Sequence, residues 1–138
     1  MVNTNELKLG NYLFMPFTSE NVKVTGLALK EEKTPVMYIQ STFGTSQYFA
    51  LPEQYRPIEL TEYVLANKTE FKKSAYEQKY FLSLYEMKAE LQAEVYRGSL
   101  VFSIQSDFSA LILNEIKYLH QLQNFVFSLN NAEMVVSF

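Results

Sequence analysis

The stretch Ile116–Leu129, IKYLHQLQNFVFSL, decides how the rest of the chain is read. At about 100° per residue, Phe125, Tyr118, Leu129, Leu122, Val126 and Leu119 fall in one continuous arc. So broad an apolar stripe belongs to a helix laid on a core. Lys117, Asn124, Ser128 and Gln121 fall opposite, and Gln123, Phe127 and His120 stand between the two faces. Phe127 is off the main stripe, beside His120 and Gln123. Either a second layer of chain covers it, or His120, Gln123, Asn124 and Phe127 form an exposed polar–aromatic patch that binds a partner. Asn130-Asn131 ends the helix, because asparagine tolerates the left-handed conformation. Beyond it, Met134–Phe138 (MVVSF) reads as a short final strand.

Upstream, the pattern changes to period two. Leu7–Met15 alternates around Gly10-Asn11, and Pro16–Asn21 has turn chemistry. Val22-Lys23-Val24-Thr25 alternates and continues through Gly26 to Leu29; a glycine inside such a run marks a bulge or a close backbone approach. Lys30–Pro35 is a charged loop, Val36–Gln40 a strand, Thr42–Thr45 a turn around Gly44, and Gln47–Leu51 another strand. Four short strands with tight turns predict a small antiparallel sheet or an SH3-like barrel. Pro52–Pro57 (PEQYRP) predicts an extended joint, since proline disfavours helix at the residue before it. A small β lobe over 1–56 and an α+β lobe over 57–138 follow, with one shared core as the alternative.

After the joint, Leu60-Thr61-Glu62 opens a short helix that ends near Asn67. Thr61 can cap free amides, Glu62 suits the positive helix end, and Leu60 can staple onto Leu65. Tyr80–Leu84 favours strand. Glu86–Tyr96 reads two ways: Leu84, Met87, Leu91 and Val95 share a helical face, whereas Ala89, Leu91, Ala93 and Val95 alternate as a strand. The turn at Gly98-Ser99 into the alternating Leu100–Gln105 tips the reading toward a hairpin. Ala110–Leu113 adds a last strand before the helix. The predicted fold class is α+β: the N-terminal sheet or barrel, plus a C-terminal antiparallel sheet packed by one amphipathic helix.

Three segments carry a resemblance. Lys117–Met134 (KYLHQLQNFVFSLNNAEM) resembles the signature KYVHQLQNLYFALTGEEL that closes a family of small proteins of Bacteroidota genomes, their mobile elements and phages. Asn5–Tyr12 (NELKLGNY) is similar to that family's opening ELRIGNxV, and Pro57–Glu62 (PIELTE) to its central PIPLTEE. The segments occur in family order; Asn130-Asn131 stands where Thr-Gly is usual, Glu59 stands for a proline, and Lys72–Asp107 does not align. The resemblance implies a phage or mobile-element setting and brings no activity with it.

Composition narrows the chemistry. The 138 residues include no cysteine, one histidine and one aspartate. Disulfides and thiolate chemistry are therefore excluded, and zinc would have to rely on carboxylates that suit harder ions. His120 has no GxSxG serine to serve, and the four glycines are isolated, so no phosphate-cradling loop exists. Glu86, Glu90 and Glu94 are expected to form a solvated face, with no deep pocket holding two or more glutamates. Net charge is −3, and residues 99–138 carry one base against three acids; nowhere is there the basic stripe of a duplex binder. Lys72, Lys73, Tyr76 and Tyr80 supply a local basic–aromatic spot for single strands. The N-terminus is polar, with no charged-then-apolar leader, and no apolar run is long enough for a bilayer.

The resulting expectation is a non-enzymatic binding or adaptor module without cofactor or metal, whose partner is another protein or a second copy, through His120, Gln123, Asn124 and Phe127. Its setting is the cytoplasm of a bacterial host, with a virion component as the other option. Nucleic-acid binding through Lys72–Tyr80 and a small glutamate-dependent hydrolase or nuclease are the alternatives.

Overall fold

Alternation in the N-terminal half becomes a five-stranded antiparallel sheet. A computed structural model describes residues 2–31, 34–42, 47–75 and 77–138. It divides into two units, one of Met1–Ile58, Tyr118–Asn124 and Phe138, the other of Glu59–Lys117 and Phe125–Ser137. In the first unit, β1 (Tyr12–Met15), β2 (Glu20–Lys30), β3 (Thr34–Ser41), β4 (Gln47–Ala50) and β5 (Arg56–Pro57) lie in the order β4-β3-β2-β1-β5. Their inward residues Leu13, Val22, Val24, Met37, Ile39 and Ala50 build a core with Val2, Leu7 and Tyr55. The register of β2 on β3 shifts between Val24 and Gly26. A Cβ on Gly26 would come 3.0 Å from the Tyr38 ring, so the sequence signal marked both a bulge and a close approach.

Two expectations change here. The sheet is open, so the barrel alternative does not hold: the strand order is linear, and β4 and β5 are its two edges. Pro57 lacks the N–H that a further strand would need. The PEQYRP joint is extended only in its second half. Pro52–Gln54 forms a 3-10 turn, Tyr55 is buried in the core, and Arg56–Pro57 pairs with Phe14 and Leu13. The turn around Gly44 lies outside the described residues.

In the second unit, α1 (Glu62–Lys68) starts as its sequence predicts, with the Thr61 hydroxyl accepting from the Val64 amide at 3.2 Å. The strands β6 (Lys72–Lys73), β7 (Lys79–Leu84), β8 (Ala89–Tyr96), β9 (Ser99–Gln105) and β10 (Ala110–Ile112) run in sequence order across an antiparallel sheet. The ambiguous stretch is thus a strand. Arg97 and Gly98 both have positive φ, 49° and 78°, and they join Tyr96 to Ser99 as a two-residue loop whose twist suits a hairpin. Leu91 and Ala93 are buried while Glu90 and Glu94 stay in water. Good helix formers yield to the hairpin.

The first unit takes Tyr118–Asn124, the start of the helix α2 (Leu119–Asn130) and the residue before it, and the second unit takes the rest of the helix. Gln121 Oε1 accepts the Tyr118 amide at 3.1 Å, the returning half of a capping box. Asn131 closes the helix at φ 50°, with its amide on the Phe127 carbonyl. The final MVVSF segment is reduced to a single bridge, Val136 to Thr69. No helix among the described residues is long and apolar enough to cross a membrane.

Candidate functional site

The face that α2 buries is not centred where apolar periodicity puts it. Leu119, Leu122 and Val126 are buried, and so are His120 and Gln123, each 1% exposed, whereas Tyr118, Phe125 and Leu129 are only half-buried. At 100° per residue the buried face is turned roughly 75° toward the polar flank.

The cause lies in the N-terminal segment. Thr4–Glu6 is a 3-10 turn, after which Lys8 donates its amide to Asn11 Oδ1 at 2.8 Å and bends the chain into β1. That irregular backbone needs partners. Gln123 supplies two, accepting the Tyr12 amide at 3.1 Å and donating to the Gly10 carbonyl at 3.0 Å, as a neighbouring strand would. Asn124 donates to the Glu6 carbonyl at 2.6 Å and accepts from Asn11 Nδ2 at 2.9 Å. Asn11 is fully buried. His120 stacks on Tyr118 with ring centroids 5.9 Å apart, and its Nε2 lies 3.4 Å from Glu6 Oε2. Its Nδ1 is buried with no partner among the described residues. Burial lowers the His120 pKa from 6.5, opposed by its hydrogen bond and charge attraction to Glu6.

The expected exposed patch is therefore not one surface. His120 and Gln123 are inside, Asn124 is bound on both its amide atoms, and Phe127 is 37% exposed. A second layer of chain does cover the helix flank, but over His120 and Gln123. Sequence reasoning missed Glu6, Gly10, Asn11 and Tyr12 as their partners.

The basic–aromatic spot is also partly consumed. Lys72 and Lys73 are exposed on β6, but Tyr80 is buried and its hydroxyl donates to Glu62 Oε1 at 2.7 Å. That bond, then burial, raises the Tyr80 pKa. Lys73 Nζ lies 5.8 Å from the ring centroid. A buried ring offers no face for a base to stack on. Tyr76 lies outside the described residues.

Glu86, Glu90 and Glu94 are exposed, as expected of a solvated face. A cleft of about 430 Å³ gathers Glu59, Glu62 and Glu115 with Lys117 along its lining. They converge because the α1 start and the segment before α2 meet backbone to backbone, Leu60 N–H on the Lys117 carbonyl at 2.9 Å. Another, of about 510 Å³, is lined by Tyr85, Lys88, Glu90 and Asp107 among others. Among the described residues no group of three or more histidine, aspartate or glutamate side chains is placed to hold a metal ion.

One exposed apolar surface is the sheet edge at β10. All three of its residues are exposed, Leu111 at 60% and Ile112 at 75%, and Phe108 in the preceding turn is 97% exposed. From Phe108 to Asn114 (FSALILN) there is no charge. The opposite edge, β6, consists of two lysines. Natural edges are guarded by such charges, by proline or by covering chain. Comparison with family models, curated proteins and solved structures gives no match.

Proposed function

We propose that this chain is a non-enzymatic binding module that accepts an extended segment of another protein or of a second copy along β10. The observation that supports this most is the contrast between the two edges of one sheet: lysines guard β6, while β10 offers unguarded backbone framed by exposed apolar side chains. Strand addition draws affinity from main-chain hydrogen bonds and specificity from alternate side chains. The resemblance of Lys117–Met134 to the Bacteroidota and phage signature supports a phage or mobile-element setting in the cytoplasm of a bacterial host. The test is capture from such a host with wild type and Ile112→Lys, followed by hydrogen exchange of the complex. The reading requires that the lysine variant lose the captured partner and that the β10 amides gain protection. Capture unaffected by the lysine would end it.

A second reading, a small glutamate-dependent hydrolase or nuclease, draws on the cleft with Glu59, Glu62 and Glu115. Hydrolysis of ester or phosphodiester probes by wild type, lost in a Glu59→Gln, Glu115→Gln double variant, would support it. No hydrolysis by wild type would retire it.

A further inference from the structure

The backbone phase of β10 identifies which of its groups are free. Ser109 accepts the Ser106 amide through its carbonyl, and the Leu113 amide donates to the Phe102 carbonyl. In an antiparallel ladder successive residues direct their N–H and C=O to alternate sides. Ser109, Leu111 and Leu113 therefore turn inward to β9, and Ala110 and Ile112 turn their amides and carbonyls outward. An occupant of this edge must be extended, uncharged and apolar, with two outward-facing residues of its own at the same spacing. The chain contains such a segment, and it is β10 itself.

We infer that the occupant is a second copy of this chain, its β10 antiparallel to the first across a two-fold axis at Leu111. This rests on the edge-binding reading above and names its partner. With the axis there, Ala110 pairs with Ile112 of the partner subunit and Ile112 with Ala110 of the partner subunit. All four outward amides and carbonyls on each copy find partners. Leu111 meets Leu111 of the partner subunit in the close, non-hydrogen-bonded position, about 4.5 Å between Cα atoms. Such an isologous contact closes on itself and does not propagate into a filament. No charge within Phe108–Asn114 opposes its own symmetry mate. The flanking Asp107 and Glu115 are alike in sign, so added salt strengthens the pairing. Three-residue strands bury less than the ~1,200 Å² of a stable complex, so the dimer is weak and its population depends on concentration.

Sedimentation velocity from micromolar to millimolar protein should show a monomer–dimer equilibrium, weakened at least tenfold by Ala110→Pro. That change deletes an outward amide and leaves the β9 ladder intact; an unaltered circular dichroism spectrum confirms the fold. Because the chain has no cysteine, Leu111→Cys provides a second measurement, a disulfide-linked dimer on mild oxidation, with Phe17→Cys in the exposed β1–β2 turn as the control that does not link. A strictly monomeric wild type, a dimer untouched by Ala110→Pro, or equal linking at both cysteines would each overturn self-pairing. Edge binding would still stand if Ile112→Lys abolished host capture while the wild type remained monomeric.

Discussion

At the scale of single residues, the decisive side chain is Gln123. It is one amide serving two part-buried backbone groups, and both lose that partner if it is removed. Each unsatisfied group costs about 1–3 kcal/mol, so Gln123→Leu, which keeps the bulk, should lose about 2–4 kcal/mol. Urea denaturation measures this, and a loss under about 1 kcal/mol would show that the amide is dispensable. His120 governs a pH response of definite sign. Its folded pKa lies below 6.5 because burial disfavours the imidazolium more than Glu6 favours it. As pH falls through 6.5 the unfolded chain binds a proton that the folded chain does not. Stability from this group is thus complete above about pH 6.5 and drains away below it, at up to about 1.4 kcal/mol per pH unit. Unfolding midpoints between about pH 7.5 and pH 5.5 should fall for wild type. His120→Gln should flatten that fall, and Glu6→Gln should deepen it by removing the neighbouring anion.

Elements were legible where local chemistry and apolar period agree. The α1 cap at Thr61, the bulge at Gly26 and the strands of both sheets follow from short-range patterns. Glu86–Tyr96 was less so, because strong helix formers sit in a strand whose hairpin loop decides the matter. The facing of α2 was least legible. Its hydrogen-bond partners lie more than 110 positions away in sequence, and no periodicity can report which polar side chains a distant loop will draw inward. The end of α2 turns on one residue. Asn131 occupies the left-handed position at φ 50°. Glycine adopts that conformation without the Cβ penalty, so Asn131→Gly should raise stability by up to about 1 kcal/mol, and Asn131→Ala should lower it by about 1 kcal/mol. Thermal unfolding of the two variants checks the order; alanine equal to glycine would remove the conformational explanation.

For the whole molecule, the consequence lies in how the chain is apportioned. Composition and the two prolines of PEQYRP suggested a boundary near residue 56, and the first unit does run to Ile58, yet it also takes Tyr118–Asn124 and Phe138 from the far end. Those seven residues at the start of α2 bring Leu119 and Leu122, both buried, and the side chains of Gln123 and Asn124 that bond Gly10, Tyr12, Glu6 and Asn11. Burying each leucine contributes about 1.5–3 kcal/mol, and the hydrogen bonds protect backbone groups that would otherwise be orphaned. A sheet of fewer than sixty residues has little stability to spare. The fragment of residues 1–58, cut where the sequence looks most like a domain end, should therefore fail to fold. Its amide NMR spectrum should be collapsed and its thermal transition absent, while the full chain melts cooperatively. Adding a peptide of residues 115–131 should recover dispersed amide signals, because it returns both leucines and both polar side chains at once. The same peptide carrying Gln123→Leu should recover less. A fragment that melts cooperatively on its own would mean that the N-terminal sheet is self-sufficient, and that the polar contacts from α2 to Glu6–Tyr12 hold the helix in place and not the sheet.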